Sequence, residues 1–177
     1  MVKNSSTFGW STALSNNILR AGKHYVSFQI DFGNSSHLLL GVMRPGEANP
    51  NASGSPLYPD FFQHFFRRLG HVEHNNNQNN INDCCMYYTM NGVSYSSNWS
   101  DPTDDIISDR NWEGLENMSS NGEVGLLLDL DEGTLSVYKN RRKLGVVKSG
   151  LAGQYCWVVS MFSGVQVTIK RGTIPPS

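Results

Sequence analysis

Charge is scarce in this chain, and long uniform runs are missing. Lys, Arg, Asp and Glu together make up 16% of 177 residues, with a formal net charge of −1 at pH 7. So even a balance offers no field to draw in a phosphate backbone, and nucleic acid is not an expected partner. The one dense basic cluster, Lys139, Arg141, Arg142 and Lys143, reads as a solvated hairpin tip. No apolar stretch is long enough to span a bilayer, so no membrane partner is expected. The first ten residues, MVKNSSTFGW, lack the apolar core of a secretory signal. The Ala-, Leu-, Glu- and Lys-rich runs of a mainly helical protein do not occur. Cysteine is limited to three, an odd number, and Cys84 and Cys85 are adjacent. Neighbours in a strand point to opposite faces, so the pair suggests no disulfide framework. All three are expected to be reduced core residues. Together with the absent signal core, this points to an intracellular, cytoplasmic location. The sequons at Asn34, Asn51, Asn98 and Asn117 read as accidental in such a chain.

What is present favours turns and short strands. The polar remainder is mostly Asn, Ser, Thr and Gly, with 17 glycines spread along a length suited to one domain. Residues 123–131 (EVGLLLDLD) place Val124, Leu126, Leu128 and Leu130 on one face, and Gly125, Leu127, Asp129 and Asp131 on the other. Glu132-Gly133 supplies a turn, 134–139 a second strand with Leu135 and Val137 inward, and 144–147 a third, giving a meander. Residues 155–161 are nearly continuously apolar, as in a central strand covered on both faces. Residues 165–170 alternate again, with Val165, Val167 and Ile169 inward, and Pro175-Pro176 ends the regular structure. Upstream, 24–32 and 38–42 read as strands, and strand character resumes at 84–89 before an Asn91-Gly92 turn.

The middle departs from this pattern. Residues 46–56 read as loop. From Asp60 to Gly70, Phe61, Phe62, Phe65, Phe66 and Leu69 recur at near-helical spacing, which predicts one short amphipathic helix seated on the core. Residues 74–82 (HNNNQNNIN) read as a low-complexity loop. The polar stretch 94–120, with Trp99 and Trp112, is expected to wrap the surface. The expectation is a single domain over 1–177 with a loop-rich insertion at about 46–82. Its fold would be a β-sandwich, with the strands of 123–170 stacked face to face on the N-terminal ones.

The segment GEVGLLLDLDEGTLSVYKNRRKLGVV (122–147) resembles the signature of the SPRY (B30.2/SPRY) domain family. GLAGQYCWVVSMFSGVQVTI (150–169) is similar to the family's closing strands, LRAGKHYVSFQI (19–30) to its Gly-x-His-Tyr strand, and LLLGVMRPG (38–46) and MYYTMNG (86–92) to two further segments. The match is strong over 122–147, moderate over 19–46 and weak between 47 and 120. Three departures stand out. Val26 replaces the family's usual Trp, Arg141 replaces the usual turn glycine, and the 47–82 insertion exceeds the family's ordinary connection. A non-glycine residue at positive φ costs on the order of 1 kcal/mol, which leaves the type of the turn at Arg141 open. The resemblance implies an all-β, twisted antiparallel β-sandwich of the concanavalin A-like, jelly-roll type. It also implies a module that binds a protein or peptide partner through inter-strand loops, which in many members is the substrate-recognition part of a ubiquitin-ligase complex; the domain itself is expected to be monomeric. No ligase motif occurs within these residues.

Catalysis finds little support. A lectin-like glycoside hydrolase needs two carboxylates flanking a glycosidic bond. Asp129 and Asp131 share a face, but Thr134 stands where a third acid would be required. The simpler reading gives Asp131 and Glu132 to the hairpin turn and makes Asp129 an outward polar residue. Non-catalytic carbohydrate binding is the stronger alternative to protein binding. His64, His71 and His74 with Cys84 or Cys85 match no common zinc spacing, and no phosphate loop or nucleophile elbow appears. No enzyme activity, metal or cofactor is expected. The candidate partner-binding residues are Trp10, Ser11, Asn16 and Asn17 in an N-terminal loop, and Tyr87, Tyr88 and Met90 around the middle turn. Trp99 follows them, and Phe162, Ser163 and Gly164 precede the last strand.

Overall fold

The computed structural model describes residues 2–3, 9–45, 84–96, 107–118 and 120–176. Among them the regular structure is all β: β1 (Val2–Lys3), β2 (Trp10–Leu14), β3 (Lys23–Asp31), β4 (Leu38–Met43), β5 (Cys84–Tyr88), β6 (Ser94–Ser96), β7 (Ile107–Asp109), β8 (Gly122–Asp129), β9 (Thr134–Lys139), β10 (Arg142–Ser149), β11 (Cys156–Phe162) and β12 (Gln166–Arg171). They form two six-stranded antiparallel sheets, ordered β1-β12-β3-β8-β9-β10 and β2-β11-β4-β5-β6-β7. The Phe-rich helix expected at 60–70 and the Asn-rich loop at 74–82 lie outside the described residues.

Alternation decides which residues close the sandwich. From the first sheet, Val26, Phe28, Ile30, Val124, Leu126, Leu128, Leu135, Val137 and Val167 point inward. They meet Leu38, Leu40, Val42, Cys85, Tyr87, Trp157, Val159 and Met161 of the second. A fully buried side chain of this class contributes about 1.5–3 kcal/mol, so this seam is the main source of cohesion. The second sheet carries an apolar set on its other face too: Leu39, Met43, Cys84, Met86, Tyr88, Tyr95, Cys156 and Val158, with Trp10 and Leu14 packed against it. Cys84 and Cys85 thus fall on opposite faces. Cys156 pairs with Met43, which in turn pairs with Cys84, so Cys156 and Cys84 sit in one row, two strands apart.

The 122–149 meander forms with β8, β9 and β10 as neighbours. Three features differ from the sequence expectation. The sandwich is not an N-terminal sheet stacked on a C-terminal one. Strand β3 pairs with β8 and β12 in the first sheet, while β11 inserts between β2 and β4 in the second. Ile169, expected inward, is 39% exposed toward the end of β12. The stretch 94–120 contributes strands β6 and β7, and within it Tyr95 and Trp112 are buried.

At the β8–β9 hairpin, Asp129 rather than Asp131 or Glu132 organises the turn. Its Oδ1 accepts the amides of Asp131 and Glu132 at 3.1 and 3.2 Å, and its Oδ2 meets Lys23 Nζ at 3.0 Å. The lysine bond and the turn amides hold the Asp129 carboxyl below its ordinary pKa. At the β9–β10 hairpin, Asn140 and Arg141 both take positive φ, 49° and 68°, which is a type I′ turn without its usual glycine. Glu116 clamps that hairpin by pairing with Lys139 and Arg142.

Arg141→Gly should therefore raise stability by up to about 1 kcal/mol in urea unfolding, and a loss would show that the arginine makes compensating contacts. Gly41→Ala should act in the opposite direction. An added Cβ would lie 2.0 Å from the Cys85 carbonyl oxygen, so β4 and β5 must part, at a cost of about 2–3 kcal/mol by the same measurement.

Candidate functional site

Antiparallel register brings four strand ends together at one rim of the second sheet. Trp10 opens β2 and pairs with Phe162, which closes β11. The amide of Phe162 donates to the His37 carbonyl at 3.0 Å, just ahead of β4. Tyr88 closes β5 opposite Leu39, and Met90 follows in the turn. By strand parity Trp10, Phe162, His37 and Tyr88 all project from the outer face, away from the sandwich seam.

Their rings form a connected cluster. Trp10 and Phe162 meet edge-on with centroids 5.8 Å apart, as do His37 and Phe162 at 5.8 Å. Trp10 and His37 are tilted at 6.1 Å, and His37 stacks on Tyr88 at 6.1 Å with 16° between planes. Tyr88 in turn meets Tyr95 edge-on at 6.2 Å. The Tyr88 hydroxyl is hydrogen-bonded to His37 Nδ1 and lies 3.4 Å from Met90 Sδ. Trp10, His37 and Phe162 are half-buried, Tyr88 is buried, and Met90 is 44% exposed. Aromatic pairs of this geometry contribute about 0.5–1.5 kcal/mol beyond their buried area, so the walls hold their positions before anything binds.

The turn that carries Met90 is fixed from several sides. Tyr88 N donates to Val93 O and Gly92 N to Tyr88 O, both at 2.9 Å. Asn91 Oδ1 accepts the Val93 amide at 3.0 Å, and Trp112 Nε1 donates to Gly92 O at 2.9 Å. Gly92 is at φ 75°, and a Cβ there would lie 2.7 Å from the Glu116 backbone. On the other side of the rim, Ser163 N donates to Gly9 O at 3.0 Å, and Gly164 takes φ 91° in the turn after Phe162. That turn packs so closely on the next one that a Cβ on Gly33 would sit 2.6 Å from the Gly164 carbonyl oxygen.

The structure thus brings together Trp10, Tyr88, Met90, Phe162, Ser163 and Gly164. Ser11 lies on β2 facing away from Trp10, paired with Met161. Tyr87 points into the core, where it is fully buried and its hydroxyl donates to Glu116 O at 2.5 Å. Asn16 and Asn17 are exposed beyond the other end of β2, roughly 20 Å from Trp10 by strand rise. Trp99 lies outside the described residues, as do His64, His71 and His74. His37 was not singled out by the sequence reading. Its signal was parity with Leu39 and Met43, which places it on the outer face. Away from the rim, Asp131 Oδ1 accepts the Gly22 amide at 3.1 Å, so both hairpin carboxylates are engaged in holding turns.

Neither a protein-family model nor a curated protein matches this sequence. Solved structures do match. The SPRY domain of human HERC1 superposes with a TM-score of 0.56 at 14% identity, over 93% of this chain and 86% of that one. The PSpry domain of TRIM65 gives 0.52 at 16% identity, over 91% and 70%. This chain has the SPRY fold. The SPRY resemblance read from 122–147 and 19–46 therefore holds at the level of architecture, despite Val26 and Arg141.

Burial also governs how these tyrosines ionise. Desolvation pushes the Tyr88 hydroxyl up to about 12, with a smaller contribution from Tyr95, and raises Tyr87 further. It raises Tyr25, on the outer face of the first sheet, to about 12 as well. A phenol pKa raised on folding contributes stability that is complete below the unfolded value near 10 and is lost as pH climbs through the folded value. Absorbance at 295 nm should therefore show a subset of tyrosines resisting ionisation up to about pH 11–12, released together with unfolding. Smooth titration of all tyrosines near pH 10 in the folded protein would contradict the burial described.

Proposed function

We propose that this domain is a non-catalytic binding module that captures a segment of a partner protein at the Trp10–Phe162–His37–Tyr88–Met90 rim. One observation carries the reading. Aromatic side chains at the ends of four separate strands, half-buried at Trp10, His37 and Phe162 and buried at Tyr88, converge on one rigid edge, with a flexible Met90 exposed beside them. Seating the strand ends alone would not require this concentration of rings at one rim. Rigid aromatic anchors offer contact area at little entropic cost, and neighbouring main-chain amides can add hydrogen bonds. The SPRY fold supports the reading as architecture. Substrate selection for a ubiquitin ligase, implied by the sequence resemblance, is one setting in which such capture would operate.

The test is affinity capture from cell extract by the whole chain, with mass spectrometry, run beside Phe162→Ala and Trp10→Ala. Phe162→Ala should weaken capture at least tenfold while lowering stability by no more than about 1.5 kcal/mol. Capture that survives both substitutions would remove the rim as the binding site. Saturable, specific signal on a glycan array would favour the carbohydrate-binding alternative instead.

A further inference from the structure

The hydrogen bond between Tyr88 and His37 defines what the rim presents to a ligand. We infer that Tyr88 is a positioning residue that donates to His37 Nδ1, holding the imidazole as its Nε2–H tautomer. The rim then offers one hydrogen-bond donor between aromatic walls, suited to a main-chain carbonyl of an uncharged, extended peptide segment with an apolar anchor. This rests on the binding role proposed for the same rim.

The chemistry of the pair sets the direction of that bond. A phenol is a much stronger acid than a neutral imidazole N–H, and an imidazole nitrogen is a better acceptor than a phenol oxygen. The well-matched arrangement is therefore O–H donating to Nδ1. The competing arrangement reverses this bond and turns the hydroxyl toward Met90 Sδ at 3.4 Å. A thioether is a weak acceptor and compensates poorly. Burial keeps the Tyr88 hydroxyl protonated, and hence a donor, across the neutral range. With Nδ1 occupied, the proton of the neutral ring resides on Nε2. Among the described residues no group bonds to Nε2, and the ring is half-buried rather than sealed.

The surroundings select for neutrality. Trp10, Tyr88, Met90, Tyr95 and Phe162 carry no charge, and the ion pairs between described residues, Lys23–Asp129 and Glu116 with Lys139 and Arg142, brace hairpins of the first sheet. None of these rim side chains would compensate a charged anchor for its desolvation. A neutral peptide would lose little and could place a carbonyl at Nε2.

Two measurements on the whole chain test this. Long-range proton–nitrogen NMR on 15N-labelled protein should show His37 Nδ1 unprotonated and Nε2 protonated, and Tyr88→Phe should shift the ring toward a tautomer mixture. A protonated Nδ1 in the neutral wild-type ring overturns the inference. The binding probe is a linear peptide selected from a displayed random library on the wild-type chain. Its affinity should fall about fivefold with Tyr88→Phe and with His37→Asn. It should be largely restored in His37→Gln, whose amide reaches the Nε2 position, and change less than twofold between 0.05 and 0.5 M salt. A peptide that depends on Phe162 yet ignores Tyr88→Phe overturns the inference and leaves the binding site intact. A library yielding no peptide sensitive to Phe162→Ala removes the site itself, and the recognition part of the inference with it.

Discussion

Everything in this molecule follows from the closing of one apolar seam. Phe28, Leu126 and Val137 from one sheet must meet Leu40, Tyr87 and Val159 from the other. Because side chains alternate along a strand, satisfying that seam fixes the orientation of every other residue as well. Once Leu38, Leu40 and Val42 point inward, His37, Leu39 and Met43 have no choice but to point out. Once Tyr87 enters the core, Tyr88 cannot. The rim is the remainder of the packing problem, and its rings are held by the strands whose inner faces hold the sandwich together.

Register then converts orientation into proximity. Phe162 sits opposite Trp10 on one side and beside His37 on the other, and the pairing of Leu39 with Tyr88 carries the row on toward Met90. The four rings are far apart in sequence: positions 10, 37, 88 and 162 meet because β11 inserts between β2 and β4 and β5 pairs with the other side of β4. The cluster is therefore as stable as the second sheet itself, which is why a ligand would find it already assembled.

Much of the fold was legible because alternation is a local property. The strands at 123–131, 134–139 and 24–32, and the opposed faces of Cys84 and Cys85, could be read from a few residues each. Strand partnership was not legible, since a two-residue period states which face is buried but not which strand lies alongside. That is why β3 pairing with β8, and β11 crossing to the second sheet, escaped the reading. Strands β6 and β7 escaped for another reason. Ser94 and Ser96 are buried beside Tyr87 and Cys85 on the inner face, but as polar residues they gave no apolar alternation, so composition disguised them as loop. At the rim, Tyr88, Met90 and Phe162 could be named as large side chains near strand ends, and Trp10 as an aromatic in a supposed N-terminal loop that is in fact the start of β2. His37 sat in a polar stretch, and only the parity of the following strand distinguished it. That same parity, applied to the Tyr87–Tyr88 pair, separates the inward ring from the outward one.

The placement of the three thiols has a consequence for chemistry outside the domain. Adjacent strands lie about 4.8 Å apart, so Cys156 and Cys84, with Met43 between them, are held near 10 Å, beyond the roughly 7 Å limit for bridging. Cys85 is on the far side of the sheet, its thiol pushed by burial to about 12. No two of them can join without tearing the sheet apart. The sandwich thus holds together without disulfide chemistry: an oxidising milieu can neither staple it nor, by forming an internal crosslink, distort it.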